Sequence, residues 1–153
     1  MTTNTPVITY QTFDAPPAAA LLVVDAGLEA HNRAAAPLDD VQPLAAIASL
    51  PSGEVIGGAV GRTWGGCCEL LQLWVHPDHR GLGTATRLLK EFERRGAARG
   101  CRTFYLTTLS FQAPEFYRKR GYSVLARITG YPDGIAKYLM QRRQSRDASD
   151  VNP

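Results

Sequence analysis

HPDHRGLGTA, residues 76–85, joins an apolar run, CCELLQLWV (67–75), to a segment of helical periodicity, so a strand passes through a glycine-rich turn into a helix. A helix N-terminus presents backbone N–H groups without intrahelical partners and the positive end of the helix dipole, which together bind an anion such as a pyrophosphate. Gly81 and Gly83 let the backbone approach that anion with no side chain between them.

Downstream, Ala85, Leu88, Leu89 and Phe92 recur at helical spacing while Arg87, Lys90, Glu91, Glu93 and Arg94 take the other faces. This amphipathic helix ends near Gly100, with Arg94, Arg95 and Arg99 at the negative end of its dipole. CRTFYLTTL (101–109) resumes a strand, and Pro114 opens a short helix, PEFYRKR, that Gly121 stops. YSVLARI and IAKYLMQ close the pattern as a hairpin around residues 132–134. Upstream, VITYQTF (7–13) is strand-like, residues 16 to about 33 are helical, and a polar loop covers 37–40. LAAIASL and EVIGGAVGR form a hairpin over 51–53. CCELLQLWV then follows the Gly65-Gly66 turn as a central strand with both faces covered.

At 153 residues, 44% hydrophobic and 20% charged, the chain has the make-up of a soluble globular protein and the length of one domain. No run reaches the roughly 18 apolar residues that cross a bilayer, and MTTNTPVITY has neither a basic region nor an apolar signal core, so a cytoplasmic setting with no membrane partner is expected. Cys67, Cys68 and Cys101 form no CxxC pair; buried, reduced thiols are expected, with no disulfide framework and no metal site. Charge is uneven. Residues 1–53 hold five acids against Arg33, a net of −4, and the remainder carries +7. That basic part suits a polyanionic ligand, although solvated helix charges account for it equally well. No aromatic residues interleave the basic ones, so no nucleic-acid partner is expected.

Three phosphate cradles compare with the turn. A GxxxxGK[ST] loop is absent, and the dinucleotide GxGxxG/A pattern is met only at Gly81 and Gly83, because Thr86 takes the last position after a meander. RGLGTA (80–85), by contrast, resembles the RxxGxG/A signature of the GNAT acetyltransferase superfamily, whose loop holds the pyrophosphate of acetyl-CoA. LLQLWVHPDH before it looks like that family's central strand and its VxP link. SFQAPEFYRKRGY (110–122) is similar to the second signature, NxxAxxFYxxxGF/Y, in the expected order and at the expected separation. The resemblance implies an α/β fold: one GNAT-type domain over residues 1–142, a mixed and mostly antiparallel sheet of six to seven strands, about four flanking helices, and a polar tail from 143 to 153.

Acyl transfer from a thioester to an amine needs a neutral amine, a site for the oxyanion and a proton for the departing thiolate. The resemblance places Tyr117 where the family's tyrosine protonates the coenzyme A thiolate, and a phenol of pKa about 10 is balanced against a thiolate near 8.5 to 10. On spacing alone, Phe116 and Tyr117 are equally the apolar face of a short helix. Phe116 reads as core or as packing against the pantetheine arm. An aliphatic amine of pKa about 10.4 must lose a proton, and Glu69 resembles the glutamate that many members carry at the start of the central strand as a base, often through water. A solvated strand end is its bland reading. His76 and His79 are rivals of suitable pKa on the phosphate side of the loop, and His31 has no identifiable partner.

By the same resemblance, the backbone of Leu73, Trp74 and Val75 serves the oxyanion and the pantetheine arm, with Pro77 ending the strand's pairing. Arg80, Gly81, Leu82, Gly83, Thr84 and Ala85 hold the pyrophosphate; Ser110, Ala113 and Phe116 face the cofactor. Two departures stand out. Ser110 replaces the usual asparagine, and Thr107 and Thr108 occupy positions that are often acidic. The acceptor would enter past residues 26–40 and 131–134, with Asn32, Trp64 and Tyr131 lining its pocket or serving structure alone.

The expected activity is acetyl-CoA-dependent N-acetylation of a small-molecule or peptide amine by direct attack in a ternary complex, with no acyl-cysteine. The alternative is a non-catalytic acyl-CoA-binding or regulatory module. The closing hairpin offers an edge through which two copies would form a homodimer.

Overall fold

A computed structural model of the chain describes residues 8–144. Two compact units divide between Leu38 and Asp39. In the first, residues 8–13 adopt no regular structure, with Ile8, Tyr10 and Phe13 exposed. The strand expected there does not form: alternation marks a strand face, but ladder hydrogen bonds need a neighbouring strand, and no ladder among the described residues includes 8–13. Val7 lies outside the described residues. Helix α1 (Ala18–Ala35) follows Pro17, whose extended backbone breaks the chain before the first turn, and it ends where the Ala36 N–H reaches the Asn32 carbonyl at 2.9 Å.

The second unit is a six-stranded sheet with β1 (Gln42–Ser49), β2 (Val55–Trp64), β3 (Cys67–Val75), β4 (Thr103–Leu109), β5 (Ser123–Ile128) and β6 (Lys137–Arg143), in the spatial order β1-β2-β3-β4-β6-β5. Every neighbouring pair is antiparallel except β3 and β4. A parallel pair requires a crossover, supplied here by α2 (Thr84–Ala98), which lies against β1, β2 and β3. The short helix α3 (Pro114–Arg118) connects β4 to β5. Among the described residues the α-helices number three, not about four; the other short elements are 3-10 turns at Leu38–Asp40, Pro77–His79 and Pro132–Gly134. The expected tail start is also displaced, because β6 runs through Arg143 and the Gln144 N–H bonds to the Arg102 carbonyl at 2.9 Å. The rest of the proposed tail lies outside the described residues.

The spacing that identified α2 also fixes its buried face: Leu88, Leu89 and Phe92 are buried and meet Cys68, Phe104, Leu106 and Met140 in one core. Burying each such large side chain contributes about 1.5–3 kcal/mol. Gly61 on β2 marks the closest approach, since an added Cβ would stand 1.9 Å from the Glu69 carbonyl oxygen and 2.8 Å from the Phe92 ring. Two expectations about β3 are corrected. It is not covered on both faces, for Leu71 is 55% and Trp74 50% exposed. Leu71 is the extra residue of a bulge, set where β2 steps from Val60 opposite Gln72 to Gly61 opposite Leu70. Cys67 is exposed while Cys68 and Cys101 are buried, because adjacent strand residues point to opposite faces.

Candidate active site

The one parallel ladder among the described residues is short. β3 and β4 pair from Cys67 opposite Thr103 to Leu70 opposite Leu106 and no further, although β3 continues to Val75 and β4 to Leu109. Past that point the strands part into a fork, and a cleft of about 990 Å³ opens between them. Backbone parity decides which groups face it. The His76 N–H donates to the Ile56 carbonyl at 2.8 Å, so even-numbered Trp74 and His76 turn their backbone toward β2. Leu73 and Val75 turn theirs the other way, and from that side Arg80 Nε reaches the Val75 carbonyl at 2.9 Å.

Leu73, Trp74, Val75, Arg80 and Ala85 line the cleft on one flank, and Ala113, Phe116 and Tyr117 on the other. Tyr117 is buried, which pushes its phenol up to about 12, and its ring packs edge-on against Phe116 and Tyr122 at 5.1 and 5.8 Å. A smaller lobe of about 350 Å³ adjoins the cleft, lined by Arg80, Gly81, Gly83, Thr84 and Ala85 of the turn. Gly81 and Gly83 have φ of +75° and +81°, a region costly for any residue with a Cβ, and their missing side chains leave open space. Gly83 also precedes α2 without a side-chain cap, so the first amides of the helix have no capping side chain, and Thr84, Ala85 and Thr86 of that first turn line the lobe. The Thr84 hydroxyl pins the turn by donating to the His79 carbonyl at 3.3 Å. Leu82 is 76% exposed and projects out of the turn.

Other expected residues fall elsewhere. The Ser110 hydroxyl accepts from the Ala136 N–H at 3.1 Å while its own N–H bonds the Ala136 carbonyl at 2.8 Å, so it ties β4 to the start of β6 and does not line the cleft. Trp64 and Tyr131 are not brought together. Trp64 lies opposite Cys67 at the closed end of the fork, whereas Tyr131 precedes the 132–134 turn, near the open end where Lys137 pairs with Leu109. Asn32 lies on α1, in the other unit. His76 accepts from the Asp78 N–H and His79 borders the small lobe.

Glu69 sits in the paired part of β3, on the face away from α2. Its Oε2 accepts from Arg62 Nε at 2.8 Å, and Tyr105, its cross-strand neighbour, is pushed up by burial and by this carboxylate. Phe111, Gln112 and Arg120 escaped the sequence reading, because both signatures leave their positions variable. Gln112 closes the end of β4, its Oε1 accepting from the Leu109 N–H at 2.8 Å and the Thr108 hydroxyl at 3.3 Å.

The model of the acetyltransferase (GNAT) family matches residues 22–122. The chain belongs to the GNAT family. A blasticidin-S acetyltransferase from Streptomyces morookaense is 35% identical over 108 residues, which cover 68% of this chain and 79% of that protein. In fold, the chain is similar to an acetyltransferase from Bacillus cereus, with a TM-score of 0.74 at 23% identity over 88% of this chain and 98% of the other. It also resembles the PaiA N-acetyltransferase of Thermoplasma acidophilum, solved with coenzyme A, with a TM-score of 0.56 at 20% identity over 67% of this chain and 62% of that one. This GNAT protein is an acetyl-CoA-dependent N-acetyltransferase. Its residues fit that donor: the cleft, with backbone of Leu73 and Val75 on one wall, adjoins a lobe with left-handed glycines and a helix N-terminus, an arrangement that suits phosphates.

Proposed function

We propose that this GNAT enzyme acetylates a small cationic amine by direct attack in a ternary complex. The fork carries the reading, because it is open to both faces of the sheet. Ala85, Phe116 and Tyr117 line it on the side of α2 and α3. Gln72 and Trp74 share the opposite face with Glu69. The donor is assigned to the first side, its phosphates on residues 80–85 and its arm along the backbone of Leu73 and Val75; the acceptor is assigned to the second. Acetyl-CoA supplies the activated thioester carbonyl.

Glu69, through water, accepts the proton that the amine loses, and the Arg62 guanidinium orients its carboxylate. Tyr117 donates at its hydroxyl to the departing sulfur. With its phenol at about 12, outright transfer to a thiolate of pKa near 8.5 is uphill by about 5 kcal/mol, so the contribution is a hydrogen bond that strengthens as charge develops. Cys68 and Cys101 are raised by burial, Cys68 to about 12, which keeps them protonated, and the exposed Cys67 pairs with Trp64 at the closed end of the fork and does not line the cleft, which together support transfer without an acyl-cysteine. The relative named for blasticidin S and the acidic N-terminal third both favour a cationic acceptor.

Thiol release from acetyl-CoA, measured against blasticidin S, aminoglycosides, polyamines and lysine peptides, tests the reading. Release with a small polycationic amine is expected. Binding of acetyl-CoA with release from none of these amines would overturn the assignment of a small cationic acceptor.

A further inference from the structure

Arg120 stands beyond α3 at the phosphate end of the cleft, in a position that neither signature specifies. One terminal nitrogen of its guanidinium donates to the Phe116 carbonyl at 2.6 Å and the other to the Thr86 hydroxyl on α2. The guanidinium carbon lies 3.5 Å from the centroid of the Phe116 ring. Its Nε is buried and has no hydrogen-bond partner among the described residues, so this pose leaves bonding capacity of a cation unused.

The small lobe beside it is bordered by Arg80 and His79 as well as Arg120, and no acidic side chain among the described residues lines it. Neither arginine makes a salt bridge among those residues. Glu93 feels the charge of Arg120, but its two oxygens are engaged by Tyr122 at 2.7 Å and Arg142 at 2.9 Å. Two guanidiniums held only by neutral acceptors therefore border one small space. A phosphate group matches that arrangement in charge and in hydrogen bonding.

We propose that Arg120 is a phosphate-binding residue of the donor site. Thr86 and Phe116 park its guanidinium, which turns into the lobe to face Arg80 across a phosphate of the bound donor. The inference rests on the acetyl-CoA reading of the cleft.

Calorimetric titration with CoA and dephospho-CoA tests it on the parent, Arg120→Gln, Arg120→Lys and Thr86→Val. Arg120→Gln is expected to weaken CoA about tenfold or more. Arg120→Lys, which keeps the charge and loses the two-point brace, recovers most of that. Thr86→Val, which removes the parking contact and leaves the charge, binds CoA at least as well as the parent. Equal weakening of dephospho-CoA assigns the contact to the diphosphate; weakening confined to CoA assigns it to the 3′-phosphate.

If Arg120→Lys and Thr86→Val lose affinity as Arg120→Gln does, the residue is a brace and the inference fails. Should Arg120→Gln not fold, those two variants decide the matter alone. A parent that binds CoA beside an indifferent Arg120→Gln overturns this inference only, whereas a parent that binds no CoA overturns the reading of the cleft as well.

Discussion

Tyr117 combines two properties that usually conflict, a buried ring and a hydroxyl assigned to chemistry at a cleft. Tyr117→Phe keeps the ring and its contacts with Phe116 and Tyr122, so the KM for acetyl-CoA should stay within about twofold while kcat falls about a hundredfold. Unchanged kcat in steady-state assays would remove the hydroxyl from the mechanism. The same substitution has a stability signature. The folded protein holds this proton to about pH 12, whereas an unfolded chain releases it near 10. The stabilisation is thus complete below about pH 10 and is lost as pH rises through about 12, and at that upper limit Tyr117→Phe should relieve about 2–3 kcal/mol of the loss. Denaturant melts at pH 8 and pH 11.5 would show it, the variants converging at the lower pH. For Glu69→Gln the measurement is kcat at saturating acetyl-CoA: loss of the base should lower kcat about a hundredfold while the KM for acetyl-CoA stays within about twofold, and an unchanged kcat would remove Glu69 from the mechanism.

At the level of elements, the glycines separate binding from folding. Gly83→Ala meets no atom and carries only the left-handed strain, about 1–2 kcal/mol. It should therefore lower cofactor affinity through a shifted turn while the protein stays folded. Gly61→Ala puts a methyl 1.9 Å from a carbonyl oxygen of the adjacent strand and should cost about 2–4 kcal/mol with no specific effect on binding. Thermal melts set beside CoA titrations distinguish the two, and a Gly83→Ala protein with parental affinity would contradict the cradle. The fork makes its own prediction in hydrogen exchange: the amides of Leu73 and Val75 should exchange faster than that of Trp74 in the free protein and gain protection when CoA binds.

Across the whole molecule, legibility follows how local each cause is. Helix α2 and the turn before it were readable because period, glycine positions and helix end all lie within one stretch, 76–100. The three-strand meander was readable for the same reason. The alternation at residues 8–13 does not specify a strand because a strand depends on a partner elsewhere in the chain, and the separation of Trp64 from Tyr131 is hidden because sequence does not reveal which end of a sheet a turn occupies. The fork itself depends on where a parallel ladder stops, and the bulge at Leu71 that accompanies it leaves no mark in an apolar run. Arg120 was invisible because its interest comes from Thr86, 34 positions away.

The parting of β3 and β4 leaves a gap in the middle of the sheet, between its two halves, and a ligand that bonds to the exposed wall fills in for absent rungs. Occupancy then adds directly to the free energy of unfolding, about 2.7 kcal/mol at a concentration one hundred times the Kd. For a chain of this length that is a rise of about 5–10 °C in melting temperature. The melting temperature would thus rise with the concentration of the enzyme's own acyl donor, so the folded population reports on that supply.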